Sequence, residues 1–177
     1  KKSFEESVGH LQKAIGLYPE FYEAHLLLGT ALMDSREWKK AELAFQRAAE
    51  LKTNSPVAMI ALGETYWRQK RYDEAEKTLL AGLKLDEKSW NGHFTLARLY
   101  NDLDNIAKAG PALGRTMQLK PDFAPAHLLA GNIMLRLNQQ QRALAAYQEY
   151  LRLEPKGEFA SQARELVAQL NQALKKQ

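Results

Sequence analysis

The sequence predicts an all-α protein in which pairs of helices repeat and stack into a right-handed solenoid. Its 177 residues include 28 Leu and 25 Ala, but only 3 Val and 4 Ile. Unbranched and small apolar side chains suit helices, whereas β-branched side chains are enriched in sheets. Apolar residues also recur at a fixed step of 34 residues. Such a step is typical of stacked-repeat proteins.

The 34-residue step appears in five columns without an insertion. They are Leu28, Leu62, Leu96 and Ala130; Leu32, Tyr66, Tyr100 and Met134; Ala41, Ala75, Ala109 and Ala143; Phe45, Leu79, Leu113 and Tyr147; and Leu51, Leu85, Leu119 and Leu153. A small residue follows each member of the first column, as Gly29 does after Leu28. We expect Gly29 to face Ala41, so that the two helices of one pair approach closely.

Each repeat divides into two helices with a short turn between them. In residues 22–55, apolar residues at helical spacing occupy 24–34 and again 38–51, and Ser35-Arg36 separates them. Equivalent turns fall at 69–71, 102–105 and 137–139, where turn-tolerant and capping residues occur. Prolines suit the first turn of a helix or the linker before it. They open or close repeats at Pro19, Pro56, Pro121, Pro125 and Pro155.

This pattern resembles the tetratricopeptide repeat (TPR) family, whose units are helix-turn-helix pairs of 34 residues. The resemblance is carried in the first full repeat by Leu28-Gly29, Leu32, Ala41, Phe45 and Ala48, and by equivalent residues in the later repeats. It divides the whole chain into six segments. These are 1–21, the second helix of a preceding repeat; four repeats at 22–55, 56–89, 90–123 and 124–157; and 158–177, a C-terminal capping helix.

One repeat and the two ends depart from the regular pattern. In 90–123 the second helix contains Gly110-Pro111, which predicts a kink or a frayed segment because Pro111 cannot bond to the carbonyl of Ala107. The apolar stripe of 1–21, which includes Phe4, would pack against a preceding helix that this sequence does not contain. We therefore interpret the chain as a piece of a longer protein, and we expect its exposed N-terminal helix to be able to pair two copies.

The final segment, 158–177, carries one apolar stripe that suits a helix covering the last repeat. The stripe comprises Phe159, Ala163, Leu166, Val167, Leu170 and Leu174. A membrane-surface helix is the alternative, and the Gln-rich rather than cationic polar face disfavours it.

The resemblance implies that the first helix of each repeat lines a concave groove that holds a ligand. The groove candidates are Leu26, Thr30, Ile60, Glu64, Trp67, Arg68, Phe94, Arg98, Leu128, Asn132 and Arg136. Their apolar members would anchor a peptide or helix, and their arginines would orient acidic groups. Two alternatives stay open. The apolar column can instead be core, and the alternating charges Asp34, Arg68, Asp102 and Arg136 can form ion pairs between repeats.

No catalytic, cofactor or metal site is expected. His25, His93 and His127 share one column, but neighbouring repeats lie ~10 Å apart. Zinc ligands must approach one ion within ~2.1 Å, so these histidines are expected to be hydrogen-bonded and half-buried instead. The segment 110–116 differs from a phosphate-binding loop in glycine spacing, in Arg115 at the lysine position and in the lack of a preceding strand.

The sequence therefore predicts a non-catalytic scaffold that binds a protein or peptide partner. A spacer or self-assembly segment of a larger bacterial-type TPR protein is the alternative. An RNA-binding repeat is less favoured because Asp34, Glu64 and Asp102 would repel phosphates. The inner positions lack the cations of the clamp with which some family members hold chaperone tails, so no such binding is expected.

Composition adds limits on compartment and membrane. No apolar run is long enough to insert into a bilayer, and the net charge of +4 is too small to indicate nucleic acid. Cysteine is absent and no targeting signal is visible in these residues. Cytoplasm and periplasm are therefore both compatible with the sequence.

Overall fold

The computed structural model describes the backbone of residues 2–175 and the side chains of residues 5–175. All regular secondary structure in this part of the chain is helical, which confirms the predicted all-α class. The helices are α1 Lys2–Leu17, α2 Tyr22–Asp34, α3 Trp38–Leu51, α4 Pro56–Arg68, α5 Tyr72–Leu85, α6 Trp90–Asp102, α7 Ile106–Leu119, α8 Ala124–Arg136, α9 Gln140–Leu153 and α10 Ala160–Leu174. The predicted contribution of Phe4 to the α1 stripe lies outside the described side chains.

The chain forms two compact units, residues 1–95 and residues 96–177. In the first unit α2 pairs with α3 and α4 pairs with α5, while α1 packs against α2 and α3 against α4. In the second unit α8 pairs with α9, α7 packs against α8, and α10 packs against α9. None of the described helices combines the length and apolar character needed to cross a membrane.

Close packing within the helix pairs depends on glycine in the first helix, which makes room for a large side chain of the second helix. A Cβ atom added at Gly29 would lie 2.5 Å from the Phe45 ring, and one at Gly131 would lie 2.6 Å from the Tyr147 ring. Ala41 is fully buried, and the Phe45 ring is the group nearest to Gly29. The missing side chain of Gly29 makes room for this ring, and the expected approach of Gly29 to Ala41 stays a prediction.

The two side chains that pack against Gly29 and Gly131 are among the largest buried side chains of the protein. Phe45 and Tyr147, which share one column of the 34-residue step, are both fully buried. The Tyr147 hydroxyl donates a hydrogen bond to Oδ1 of Asn132 at 2.7 Å. Burial raises the pKa of Tyr147 to about 12, since the charged phenolate is poorly solvated there. The hydrogen bond satisfies the one polar atom that this side chain takes into the core.

The turns between α2 and α3, α4 and α5, α6 and α7, and α8 and α9 each contain one left-handed backbone residue. These residues are Arg36 (φ 60°), Lys70 (φ 61°), Asp104 (φ 58°) and Asn138 (φ 54°), and they keep the 34-residue step. At the first turn the amide of Glu37 donates to the carbonyl of Leu32 at 2.9 Å. This bond spanning six residues is the Schellman arrangement that ends a helix. The sequence offered no glycine to mark these positions.

Replacing Lys70 with valine should lower the free energy of unfolding by about 1–2 kcal/mol, because a β-branched residue resists positive φ. The Lys70 side chain is exposed. Lys70→Gly, which accepts positive φ freely, is the matched control and should be at least as stable as the wild type. Urea denaturation measures both variants. An equal loss in the glycine variant would assign the effect to the side chain and contradict the backbone explanation.

The proline in α7 does not interrupt the helix. α7 runs from Ile106 to Leu119 with Pro111 inside it. The helix is therefore not frayed at this proline, which was one of the two expected outcomes. A kink at Pro111 stays a prediction.

Pro111→Ala should raise the free energy of unfolding by about 1–3 kcal/mol, because alanine restores a helical hydrogen bond and removes a steric clash. Pro111 is exposed, so the substitution leaves no cavity. Thermal denaturation followed by circular dichroism measures the change. A Tm equal to or below that of the wild type would show that the helix accommodates proline without cost.

Candidate functional site

An open cleft of about 440 Å³ lies in the unit of residues 1–95. We call it the α2–α4 cleft. Four of the predicted groove residues line it, namely Thr30, Ile60, Glu64 and Arg68. The remaining lining residues were not among the groove candidates. They are Met33, Asp34, Trp38, Phe45, Val57, Ala61, Ser89 and Asn91.

The helical repeat places the polar lining residues on shared faces of α2 and α4. Thr30 and Asp34 are four residues apart on α2, and Ile60, Glu64 and Arg68 follow the same spacing on α4. Residues four apart lie one above the other on a helix. The cleft therefore combines one polar face from each helix with side chains from the first residue of α3 and the start of α6.

α4 has a well-defined start that fixes the position of this face. Pro56 is its first residue, and the Ser55 hydroxyl accepts a hydrogen bond from the amide of Ala58 at 3.2 Å. A serine cap followed by proline is a favourable helix N-terminus. The Ser55 hydroxyl also lies 2.5 Å from the hydroxyl of Tyr22, the first residue of α2. The two helices that supply the polar faces are thus joined at their N-terminal ends.

The apolar base of the cleft is held by close packing. Ile60 is buried, and a Cβ atom added at Gly82 or Gly92 would lie 2.9 or 3.1 Å from its side chain. Those two glycines therefore make room for Ile60. The Met33 sulfur lies 3.2 Å from the Thr65 hydroxyl, which also donates to the carbonyl of Ala61 at 2.8 Å.

Arg68 forms one wall of the cleft and is held by three neighbours. Its Nη2 lies 3.5 Å from Oε1 of Glu64. The carbon at the centre of its guanidinium lies 4.7 Å from the centre of the Trp67 ring and 5.8 Å from that of Trp38. Cations are attracted to aromatic faces at these distances. Since the ion pair is partly exposed, it contributes only ~0–1 kcal/mol, and its main effect is to position the arginine.

The two aromatic residues proposed as open anchors are covered. Trp67 is 8% exposed and Phe94 is 7% exposed. With Ile60 also buried, these three side chains fit the alternative in which the apolar column is core. Leu26 is half-buried, and Thr30 is exposed with its hydroxyl donating to the carbonyl of Leu26 at 3.0 Å.

The predicted groove residues of the unit 96–177 are engaged in local contacts. Leu128 packs half-buried against the core of that unit, and Asn132 accepts the hydrogen bond from Tyr147. Arg136 donates to Oδ1 of Asn101 at 2.9 Å and forms an ion pair with Asp104. Arg98 is half-buried. The structure therefore does not gather these four residues around the α2–α4 cleft.

The histidine column has a structural explanation. The ring Nε2 atoms of His25, His93 and His127 donate to carbonyl oxygens six residues earlier, at 3.0, 3.0 and 2.7 Å. The expectation that these histidines are hydrogen-bonded is confirmed, whereas only His93 is half-buried, since His25 and His127 are buried at 8% exposure. Among the described residues, no group of three or more His, Asp or Glu side chains is placed to hold a metal ion.

A polar cluster that sequence analysis missed connects α3 to the turn before α5. The Glu42 carboxylate accepts from Nη1 of Arg71 at 2.8 Å and from the side-chain amide of Gln69 at 2.8 Å. Arg71 also bonds to Glu74 and lies 4.4 Å from the centre of the Tyr66 ring. Hydrogen bonds to Glu74 and Glu42 raise the pKa of Arg71, and the bond to Arg71 lowers the pKa of Glu74. Glu42 and Arg71 are 29 residues apart, so helical spacing does not reveal the contact.

Two family models match the chain, and both describe the tetratricopeptide repeat. One covers residues 37–99, and the other covers residues 3–58 and 94–158. The chain belongs to the tetratricopeptide repeat family. Proteins of this family are generally non-catalytic scaffolds for protein–protein interaction, and the TPR assignment supports that general role here.

A curated relative and two solved structures agree with the family and the fold. Anaphase-promoting complex subunit 3 of Schizosaccharomyces pombe is 32% identical over 143 residues, which are 81% of this chain and 22% of that protein. The crystal structure of the APC/C hetero-tetramer Cut9–Hcn1 matches 94% of this chain and 33% of that one, with 20% identity and a TM-score of 0.82. A thermophilic TPR protein of Thermus thermophilus, TTC0263, matches 97% of this chain and 90% of that one, with 17% identity and a TM-score of 0.76. These likenesses establish the TPR solenoid fold, and the chain spans about a fifth of the length of the curated relative.

Proposed function

We propose that this chain is a non-catalytic interaction module that binds a peptide or helical segment of a partner protein in the α2–α4 cleft. The observation that carries the proposal is the cleft itself, with Met33 and the buried Ile60 at its apolar base and Glu64 and Arg68 on its polar walls. Concave sites with an apolar lining and a few placed polar groups are typical of ligand binding.

The charges on the walls also bear on which ligands the cleft accepts. Asp34 and Glu64 place carboxylates in it. These repel phosphates and carboxylates, which supports the proposal that neither nucleic acid nor a carboxylate-ended chaperone tail is the ligand.

Selection of peptides from a phage-displayed random library tests this proposal. Thr30 is exposed in the cleft, so Thr30→Arg should block it and weaken a selected micromolar peptide by about tenfold or more. Thr53→Arg makes the same chemical change at an exposed turn outside the cleft and should leave Kd unchanged. Both variants should keep the wild-type Tm. Failure to select any peptide, or peptides that bind Thr30→Arg normally, would contradict the proposal.

A second candidate function is self-assembly through the N-terminal region. Leu17 is 75% exposed, Tyr18 is 68% exposed, and Phe21 is also exposed next to them. Adjacent exposed apolar side chains are frequent at protein–protein contacts. Light scattering over a range of protein concentrations tests this candidate. Association that Leu17→Ser plus Tyr18→Ser abolishes would support it, and a concentration-independent monomer would contradict it.

A further inference from the structure

We infer that the α2–α4 cleft recognises a lysine or arginine side chain of its partner segment, held between Asp34 and Glu64. The inference rests on the proposed function and specifies the chemistry of its ligand. It replaces the expectation that arginines in the groove orient acidic groups.

The charge of the cleft differs in sign from that of the chain. Its ionisable lining residues are two carboxylates, Asp34 and Glu64, and one guanidinium, Arg68, which leaves a net charge of −1. The chain as a whole has a net charge of +4. A negatively charged recess in a positive surface favours a cationic side chain over an anionic one, because complementary potentials steer and hold the partner.

Arg68 already has a carboxylate partner in the cleft. Glu64 lies 3.5 Å from its guanidinium, and the centres of the Trp67 and Trp38 rings lie 4.7 and 5.8 Å from it. An acidic ligand approaching Arg68 would meet the Glu64 carboxylate at the same place. The ion pair also uses a single long contact through Oε1, so Glu64 can accept a second donor from the ligand.

Asp34 supplies the second acceptor. It is exposed, and within the described part of the chain its carboxylate forms no hydrogen bond or salt bridge. It is also the last residue of α2. Carbonyl groups at a helix C-terminus carry partial negative charge, which adds to the attraction for a cation.

The other parts of the cleft suit the remainder of such a ligand. Met33 and Trp38 offer apolar surface on which the aliphatic stem of lysine or arginine can pack while its charged end reaches a carboxylate. At the start of α6, Ser89 and Asn91 contribute neutral polar groups, and the Ser89 hydroxyl already accepts the amide of Gly92 at 3.4 Å. These groups match the peptide backbone and add no charge that opposes a cation.

Fluorescence anisotropy with degenerate peptide mixtures tests the inference. Each mixture is a fluorescein-labelled, acetylated and amidated short peptide with random flanks and one fixed central residue, either Lys, Arg, Gln, Asp or Glu. The Lys and Arg mixtures should bind about fivefold more tightly than the Gln mixture at low salt, and this preference should shrink as salt is added. The Asp and Glu mixtures should bind more weakly than the Gln mixture.

The double variant Asp34→Asn plus Glu64→Gln should lose the preference for the basic mixtures. Glu20→Gln plus Asp73→Asn removes the same charge at exposed positions outside the cleft and should keep it. Melting curves confirm that both double variants are folded.

A preference for acidic or neutral mixtures, or a basic preference that survives in the cleft variant, would overturn the inference while the cleft remains a peptide site. Binding that is absent for every mixture, or insensitive to Thr30→Arg, would overturn the proposed function and the inference together.

Discussion

Phe45→Ala should lower the free energy of unfolding by about 3–5 kcal/mol. Phe45 is buried between α2 and α3, and its ring occupies the space that Gly29 leaves open. Truncation to alanine removes the transfer free energy of the ring and leaves a cavity that the rigid helix pair cannot close. Urea denaturation measures the loss.

Leu43 provides the matched control because it lies on the same helix and is 67% exposed. Leu43→Ala should change the free energy of unfolding by less than ~0.5 kcal/mol. Similar losses for Phe45→Ala and Leu43→Ala would contradict the assignment of Phe45 to the core.

Gly29→Val should lower the free energy of unfolding by about 3 kcal/mol, since an added Cβ would lie 2.5 Å from the Phe45 ring and valine carries two further methyl groups. The same substitution at Gly114, where an added Cβ meets nothing within 4 Å, should be neutral or slightly stabilising. Urea denaturation of the two variants compares the loss of unfolding free energy for the same Gly→Val change at a tightly packed position and at an open one.

The two predictions are coupled through one contact. In the Phe45→Ala background, Gly29→Val should cost less than it does in the wild type, because its methyl groups enter the cavity. The two single losses should therefore exceed the loss in the double variant. Losses that simply add would show that Gly29 and Phe45 do not share this space.

The 34-residue step allowed the helical class and much of the core to be predicted from sequence. Columns such as Phe45 and Tyr147 recur because every helix pair repeats the same packing problem, and burial follows from the column. The group nearest to Gly29 could not be predicted in this way. Periodicity states which residues face inward, whereas the contact distance depends on how the two helices cross, and the crossing brings the Phe45 ring closest to the glycine.

The candidate site was harder to predict than the core. Family resemblance located Thr30, Glu64 and Arg68 on the inner side of their helices, and the three line one cleft. The resemblance did not distinguish an open apolar residue from a covered one. The covering groups come from distant parts of the chain, as Gly82 and Gly92 do for Ile60. The left-handed backbone of Arg36 and Lys70 was missed for a different reason, since arginine and lysine do not signal positive φ.

The most direct test of the cleft as the binding site is NMR of the protein with ¹³C-labelled methionine methyl groups. The chain has four methionines. Met33 lines the α2–α4 cleft, whereas Met117 and Met134 lie in the unit 96–177. On addition of a phage-selected peptide, we expect the Met33 signal to shift while the signals of Met117 and Met134 stay unchanged. An unchanged Met33 signal together with shifted Met117 or Met134 signals would place the binding site elsewhere and contradict this account.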